Sequence, residues 1–205
     1  MSRPKVYIDG KEGTTGLQIY DRLAAREDID LLLIGEEKRK DPSERKKFLN
    51  EADLVFLCLP DAAAVEAVGL IENGRTRVID CSTAHRTAEG WAYGFPELSG
   101  QREAVKAAAR VANPGCYATG FLSLVRPLVE KGALSPKARL TCHALSGYTG
   151  AGKKAVAQYT DPDRAEELES PRHYAVTLSH KHLPEMAAVA GLDRPPLFTP
   201  MICDY

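Results

Sequence analysis

At 205 residues, the chain is long enough to bury a substantial core and to form one or two domains. Hydrophobic residues make up 44% and charged residues 27%, and the formal net charge of −1 argues against a nucleic-acid or anionic-membrane partner. The N-terminus lacks a signal-peptide pattern, no apolar run could span a bilayer, and the five cysteines form no C-x-x-C pair, so we expect a cytoplasmic protein with free thiols.

The first half of the chain alternates strand-like and helix-prone segments. After the first strand, apolar residues recur at helical spacing at Leu17, Tyr20, Leu23 and Ala24. Strands are predicted at 5–9, 31–34, 54–59, 76–80 and 110–112, and further helices after Pro42, at 62–72 and at 101–109. This alternation predicts βαβ units and a mostly parallel sheet.

The first strand-to-helix turn is rich in glycine. Gly10, Gly13 and Gly16 follow a G-x-x-G-x-x-G spacing, a variant of the usual G-x-G-x-x-G fingerprint. Glycines at this position let the backbone approach a pyrophosphate, which then lies at the helix N-terminus. The alternative is a glycine-rich turn without a ligand.

The residues after the second predicted strand leave the choice of nucleotide open. Glu36 lies twenty positions after Gly16, where an acidic residue binds a ribose 2′-hydroxyl and favours NAD. Lys38, Arg39 and Lys40 follow it and could hold a 2′-phosphate, which would favour NADP, or could form only a solvated charged loop.

A cysteine lies where a turn gives way to a helix. Pro114 and Gly115 form the turn, and residues 117–125 can form a helix, so Cys116 falls at a helix N-terminus. Unpaired N–H groups and the positive end of the helix dipole favour a thiolate there. The other four cysteines lie in or beside apolar runs and read as core residues.

The peptide SHKHLPEM offers a proton acceptor and donor for such a thiol. It contains His180, His182 and, three residues further on, Glu185, whose carboxylate could orient an imidazole. The H-x-H spacing could instead bind zinc, but no third-ligand pattern accompanies it, so we expect no metal.

The pattern changes after Lys131. Strand-like segments at 138–144, 174–179 and 195–202 are separated by longer irregular stretches, which predicts a second α+β domain. The segment from Ser146 to Ala155, SGYTGAGKKA, is too irregular for a strand and ends in Lys153 and Lys154. It could offer N–H groups and positive charge to an acyl phosphate or carboxylate, or be a flexible loop.

Seven peptides of this chain together resemble the N-acetyl-gamma-glutamyl-phosphate reductase family, and its shorter form in particular. NPGCYAT and the S-G-x-x-G-A-G segment are the most specific, and the matches run through nearly the whole chain in the family's order; they are DGKEGTTG, VFLCLPDAAA, VIDCSTAHRT, YGFPEL, ANPGCYATG, SGYTGAGKK and SHKHLPEM. The resemblance implies a Rossmann-type, doubly wound parallel sheet binding NADP(H) over 1–115 and an α+β catalytic and dimerisation domain over 116–205.

The resemblance also implies an activity and its residues. The activity is NADPH-dependent reductive dephosphorylation of N-acetyl-L-glutamyl 5-phosphate to the semialdehyde, in arginine biosynthesis, by a homo-oligomer. Cys116 matches the family's nucleophile, and the peptide with Glu185 supplies an acid/base at His180 or His182. Cofactor contacts are expected at Gly10, Gly13, Thr14, Thr15, Gly16, Arg39, Pro60, Ser82 and Thr83. Substrate contacts are expected at Arg86, Ser146, Gly147 and Lys153.

One departure from the family is its length. The family is considerably longer, so we expect a form that lacks the C-terminal part, with activity and oligomerisation in question. Two alternatives stay open: an enzyme resembling aspartate-semialdehyde dehydrogenase, which shares the thioester logic, and a non-catalytic nucleotide-binding fragment.

Overall fold

A six-stranded parallel sheet organises the first half of the chain. The computed structural model describes residues 2–10 and 14–205, and the chain divides into an N-terminal unit, Met1–Pro114, and a C-terminal unit, Gly115–Tyr205. The strands of the N-terminal unit are β1 (Lys5–Asp9), β2 (Asp30–Leu32), β3 (Leu54–Leu57), β4 (Arg77–Asp80), β5 (Ala92–Tyr93) and β6 (Arg110–Ala112). Their order is β2-β1-β3-β4-β6-β5, and every neighbouring pair is parallel.

Four helices and a short 3-10 turn connect these strands. They are α1 (Thr14–Ala24), the turn Glu36–Lys38, α2 (Pro42–Glu51), α3 (Asp61–Gly69) and α4 (Gln101–Ala107). Helix α2 begins as its sequence predicts, since Pro42 needs no N–H partner there and Asp41 caps the Ser43 N–H at 2.8 Å. The predicted Rossmann-type α/β fold is confirmed.

The chain order reverses between β1 and β3. Strand β2 lies on one side of β1 and β3 on the other, which makes the carboxyl ends of β1 and β3 the topological switch point of the sheet. The core below this edge is formed by side chains of β1, β3, β4, α2 and α3, among them Tyr7, Leu49, Val55, Leu57 and Ala64. Val55 and Leu57 are buried on one face of β3, and Leu54 and Phe56 are half-buried on the other, which fits its continuous apolar run.

The C-terminal unit contains three helices and a three-stranded mixed sheet. Its elements are α5 (Cys116–Glu130), β7 (Thr141–Gly147), α6 (Lys153–Thr160), β8 (Arg172–His173), α7 (Leu183–Ala190) and β9 (Leu197–Cys203), with 3-10 turns at Tyr148–Ala151 and Glu166–Glu169. The order is β7-β9-β8, with β7 parallel and β8 antiparallel to β9. Within residues 2–10 and 14–205, no helix has the length and apolarity to cross a bilayer.

Two local predictions were wrong. Residues 174–179 are a loop rather than a strand, because the pairing of β8 with β9 ends at His173 and both Ala175 and Leu178 have positive φ. Ser146 and Gly147 belong to β7, because β9 supplies their pairing partners. The helix predicted from the spacing of Leu17, Tyr20, Leu23 and Ala24 is confirmed as α1, on which Leu17 is exposed and Gly16 is buried.

Candidate active site

A cavity of about 320 Å³ opens at the switch point of the N-terminal unit. Gly10, the first residue after β1, lines it with a φ of +87°, a conformation that favours glycine. A Cβ added at Gly10 would lie 2.4 Å from the carbonyl oxygen of Cys58, so no other residue fits there. Gly13 lies outside the described residues, Thr14 begins α1, Thr15 is exposed in the same turn, and Pro60 caps α3.

Charged side chains of both signs line the same cavity. Glu36, Arg39 and Lys40 come from the segment after β2, and Arg39 Nη2 lies 4.0 Å from Glu36 Oε1. Lys38 does not line the cavity. Three of the four residues that sequence analysis linked to the ribose 2′ position, Glu36, Arg39 and Lys40, therefore share one cavity with Gly10.

A buried ion pair forms one wall of this cavity. Arg45 of α2 donates from Nε and Nη2 to Asp9 Oδ2 at 3.1 and 2.9 Å, and both side chains are at least nine-tenths buried. Burial raises the pKa of Asp9, and the guanidinium acts against that shift. Sequence reasoning missed this pair, although Arg45 is an unusual buried residue in an otherwise highly charged helix.

Hydrogen bonds to the side chain of Asp80 hold the loop that follows β4. This fully buried carboxylate accepts from the Ser82 N–H and hydroxyl, at 2.9 and 2.6 Å, and lies 2.6 Å from His85 Nδ1. The Thr83 hydroxyl similarly donates to Asp61 at the start of α3. Ser82 and Thr83 therefore fix the loop after β4, and their predicted cofactor contacts stay predictions.

Arg86 ties two strand ends together. Its Nε donates to the Asn113 carbonyl at 2.9 Å and one Nη to the Cys81 carbonyl at 3.4 Å. These bonds join the chain beyond β4 to the chain beyond β6. The expected phosphate contact of Arg86 stays a prediction.

In the C-terminal unit, Cys116 is the first residue of α5, as the sequence predicts. The thiol is exposed, and Gly115 precedes it in extended conformation with no side chain capping the helix. The first intrahelical bond runs from the Thr119 N–H to the Gly115 carbonyl at 2.8 Å. The N–H groups of residues 116–118 therefore precede the helical hydrogen-bond ladder, which is the geometry of an anion site.

Glu185 holds the backbone immediately before this thiol. It is 1% exposed, and its Oε2 accepts a hydrogen bond from the Gly115 N–H at 3.1 Å. The two residues are 70 positions apart, so the contact depends on the packing of α7 against α5. Glu185 thus fixes the N-terminus of α5, a role that the sequence did not predict.

His180 and His182 pack edge to face, with ring centroids 4.7 Å apart. His180 Nδ1 accepts from the backbone N–H of His182 at 3.1 Å, which leaves the ring proton of neutral His180 on Nε2. His182 is 5% exposed and caps α7, whereas His180 is half-buried. Burial lowers the pKa of His180, and the charge of Lys181 acts in the same direction.

Two tyrosines join these imidazoles to the cysteine end of α5. Tyr117, next to Cys116, packs against both imidazoles with centroid distances of 5.8 Å. The Tyr174 hydroxyl donates to the Tyr117 hydroxyl at 2.6 Å. Burial, the bond to Tyr117 and the nearby Cys116 raise the pKa of Tyr174. Sequence reasoning missed Tyr174 because it took 174–179 for a strand.

The glycine-rich segment places its predicted substrate residues at a turn from strand to helix. Ser146 and Gly147 end β7, and Lys153 is the exposed first residue of α6, after Gly152 with a φ of +87°. The Ser146 hydroxyl donates to the Gly147 carbonyl at 3.1 Å. Among the described residues, no group of three or more metal-ligating side chains occurs.

The low pKa of His180 predicts how stability responds to acid. Unfolding restores the ordinary value of 6.5, so below that pH the unfolded chain binds the proton first. The free energy of unfolding should therefore decline as the pH falls below 6.5, and His180→Gln should remove that part of the decline. Urea unfolding of both proteins between pH 8 and pH 5 measures this decline, and the difference in their free energies of unfolding at pH 8 is the reference. If the two free energies fall in parallel as the pH is lowered, the prediction is contradicted.

The structure combines a Rossmann-type α/β sheet with a cysteine at the N-terminus of a helix, and the chain belongs to the semialdehyde dehydrogenase family. The family model for the semialdehyde dehydrogenase NAD-binding domain matches residues 5–108, and the model for the semialdehyde dehydrogenase dimerisation domain matches residues 116–205. The NAD-binding domain match covers the part of the chain that carries the glycine loop.

Curated relatives narrow the resemblance. N-acetyl-gamma-glutamyl-phosphate reductase of Trichormus variabilis is 48% identical over 100% of this chain, and that of Chelativorans sp. is 50% identical over 98%. The predicted resemblance is thereby confirmed. The chain spans 65% and 64% of the lengths of these two relatives.

Solved structures of lower identity share the fold. Aspartate semialdehyde dehydrogenase II from Vibrio cholerae, complexed with ASA, superposes with a TM-score of 0.69 at 14% identity, over 99% of this chain and 71% of that one. Aspartate semialdehyde dehydrogenase with NADP from Candida albicans gives 0.64 at 14%, over 99% of this chain and 68% of that one.

Proposed function

We propose that the protein containing this chain is an NADPH-dependent N-acetyl-gamma-glutamyl-phosphate reductase of arginine biosynthesis. It converts N-acetyl-L-glutamyl 5-phosphate to N-acetyl-L-glutamate 5-semialdehyde and phosphate. The observation that carries the proposal is Cys116, exposed at the first residue of α5 and followed in the chain by Tyr117, which packs against His180 and His182. The substrate is proposed from the names of the relatives that are 48% identical to this chain.

The N-terminal unit fits a dinucleotide. Gly10 leaves a cradle that any Cβ would fill, the cavity lies at the switch point of a parallel sheet, and Arg39 and Lys40 offer positive charge to a 2′-phosphate. When bound, NADPH supplies a hydride. The residues proposed to hold it are Gly10, Gly13, Thr14, Thr15, Gly16, Arg39, Pro60, Ser82 and Thr83.

The C-terminal unit supplies the covalent chemistry. The Cys116 thiolate attacks the carbonyl carbon of the acyl phosphate, a C–S bond forms, the C–O bond to phosphate breaks, and a thioester remains on the enzyme. The N–H groups that precede the α5 ladder stabilise the negative oxygen that develops on the carbonyl. After reduction to a thiohemiacetal, collapse regenerates the thiolate and releases the aldehyde.

The imidazole pair handles the proton. His180 carries its proton on Nε2 when neutral, which suits it to donate to the departing or reduced oxygen, and His182 lies against it. Glu185 has a different role, because it fixes the backbone immediately before Cys116. Single variants His180→Asn and His182→Asn identify the acid/base as the one whose loss removes a limb of the pH–rate profile.

Substrate contacts are proposed for Arg86, Ser146, Gly147 and Lys153. The support is strongest for a contact with Lys153, because Lys153 is exposed at the start of α6, where the helix N-terminus adds to its positive charge. A homo-oligomer is supported by the dimerisation-domain match and by the exposed Leu145 and Leu197 on β7 and β9. A cytoplasmic location is supported by the free cysteines.

The decisive experiment is a reductase assay on the purified full-length protein. With N-acetylglutamyl phosphate we expect stoichiometric oxidation of NADPH and release of phosphate, and in reverse, reduction of NADP from the semialdehyde and phosphate. Aspartyl phosphate is the matched substrate control. Faster turnover of aspartyl phosphate would favour the related dehydrogenase, and binding of NADPH without turnover of either would favour the non-catalytic alternative.

Nucleotide preference should depend on Arg39. A charge-assisted hydrogen bond to a 2′-phosphate is worth about 1.5–3 kcal/mol, so Arg39→Ala should weaken NADPH binding by about tenfold or more and change NADH binding little. Calorimetry on both nucleotides measures this. Lys38→Ala is the control, because Lys38 does not line the cavity; equal losses in the two variants would argue against a 2′-phosphate contact.

A further inference from the structure

Two cysteines of the N-terminal unit lie side by side on neighbouring strands. Cys58 and Cys81 directly follow the last residues of β3 and β4, and Leu57 and Asp80, the preceding residues, are in register. The Cys81 N–H continues the ladder by donating to the Leu57 carbonyl at 2.9 Å. Residues in register on parallel strands point to the same face, so the two thiols face the same side.

Their separation suits a disulfide. Neighbouring strands lie about 4.8 Å apart, within the range of about 4.4–6.8 Å between Cα atoms that a disulfide spans. Both cysteines are only partly buried. Because neither residue is fully buried, we expect a small oxidant to reach the thiols without unfolding of the strands.

We propose that Cys58 and Cys81 form a dithiol–disulfide site, oxidised by low-molecular-weight disulfides of the glutathione class. Neither thiol has a role in the thioester chemistry proposed for Cys116. In a reducing compartment, disulfides of this kind are transient and act as redox sensors.

The chemistry of the step is thiol–disulfide exchange. The Cys81 thiolate attacks one sulfur of the oxidant RSSR, forms a mixed disulfide and expels RS⁻; Cys58 then loses its proton and attacks the Cys81 sulfur, expelling the second RS⁻. Two protein thiols are oxidised and one RSSR is reduced to two RSH. Cys81 is suited to attack first, because the neighbouring Cys58 thiol and the Arg86 guanidinium lower the pKa of Cys81, whereas the pKa of Cys58 is raised.

The site adjoins the glycine loop. The carbonyl oxygen of Cys58 lies against the backbone of Gly10, so close that a Cβ there would be 2.4 Å from it. Leu59, the next residue, lines the cavity together with Gly10. A covalent link that pulls Cys58 towards β4 changes the wall on which the glycine loop rests, and we infer that it weakens nucleotide binding. This consequence, unlike the disulfide itself, rests on the proposed function.

The test uses the full-length protein with Cys116→Ser as background, so that the exposed thiol does not react. The protein is incubated with oxidised glutathione, digested without reduction and analysed by mass spectrometry, while calorimetry gives the dissociation constant for NADPH. We expect a Cys58 peptide joined to a Cys81 peptide with loss of two hydrogens, and NADPH affinity at least about tenfold lower, restored by dithiothreitol. Adding Cys58→Ala or Cys81→Ala should abolish both effects.

Each other outcome decides one part. Glutathione adducts without a linked peptide, or linkage to another cysteine, would overturn the site. A linked peptide with unchanged NADPH affinity would overturn its coupling to the glycine loop. If the reduced protein binds no NADPH, the proposed nucleotide function fails, and the linked peptide still decides the disulfide.

Discussion

Replacing Cys116 by serine should abolish reductase turnover while NADPH affinity stays near that of the unchanged protein. The loss should be at least about a thousandfold, because removing a covalent nucleophile removes the route through the thioester rather than one contact. The cavity proposed for the nucleotide is formed by residues of the N-terminal unit, whereas Cys116 begins the first helix of the C-terminal unit. Steady-state assays and nucleotide titration on the same preparations measure the two effects separately.

The matched control is a second thiol of the same unit. Cys142 is half-buried in β7, and burial raises its pKa, so Cys142→Ser should leave turnover within a few-fold. A stable acyl-enzyme that forms on the unchanged protein and is lost only in Cys116→Ser would complete the argument. Full reductase activity in Cys116→Ser would refute the assignment.

Arg45→Ala should unfold far more easily than its neighbour on the same helix, Lys46→Ala. Truncating Arg45 leaves the buried Asp9 carboxylate without the guanidinium, and breaking a buried pair in this way costs about 3–5 kcal/mol. Lys46 pairs with Glu72 at 2.6 Å, but both side chains are exposed, so its loss should cost under about 1 kcal/mol. Urea denaturation measures the free energy of unfolding of both variants.

A double variant separates the charge from the packing. Replacing both partners by apolar residues, Asp9→Leu with Arg45→Met, removes the orphaned carboxylate, so most of the stability lost in Arg45→Ala should return. Equal destabilisation of Arg45→Ala and Lys46→Ala would contradict the reading of Asp9–Arg45 as a buried pair.

The sequence by itself determined the features that depend on neighbouring residues. The alternation of strands and helices predicted βαβ units and a mostly parallel sheet, since periodicity and turn chemistry are local properties, and the family resemblance implied that the sheet is of the Rossmann type. The turn at Pro114–Gly115 likewise placed Cys116 at a helix start. The local signal misled at 174–179, where the chain leaves β9 after the Tyr174 N–H donates to the Pro200 carbonyl at 3.2 Å, and where Ala175 and Leu178 have positive φ.

The tertiary structure decided the contacts between residues distant in the chain. Arg45 and Asp9 are 36 positions apart, and Gly115 and Glu185 are 70 apart, so no window of sequence shows that either pair meets. Cys58 and Cys81 look like two core residues until the register of β3 and β4 brings them side by side. The physical reason is that a strand or helix follows from its own residues, whereas which side chains face each other depends on how those elements pack and register.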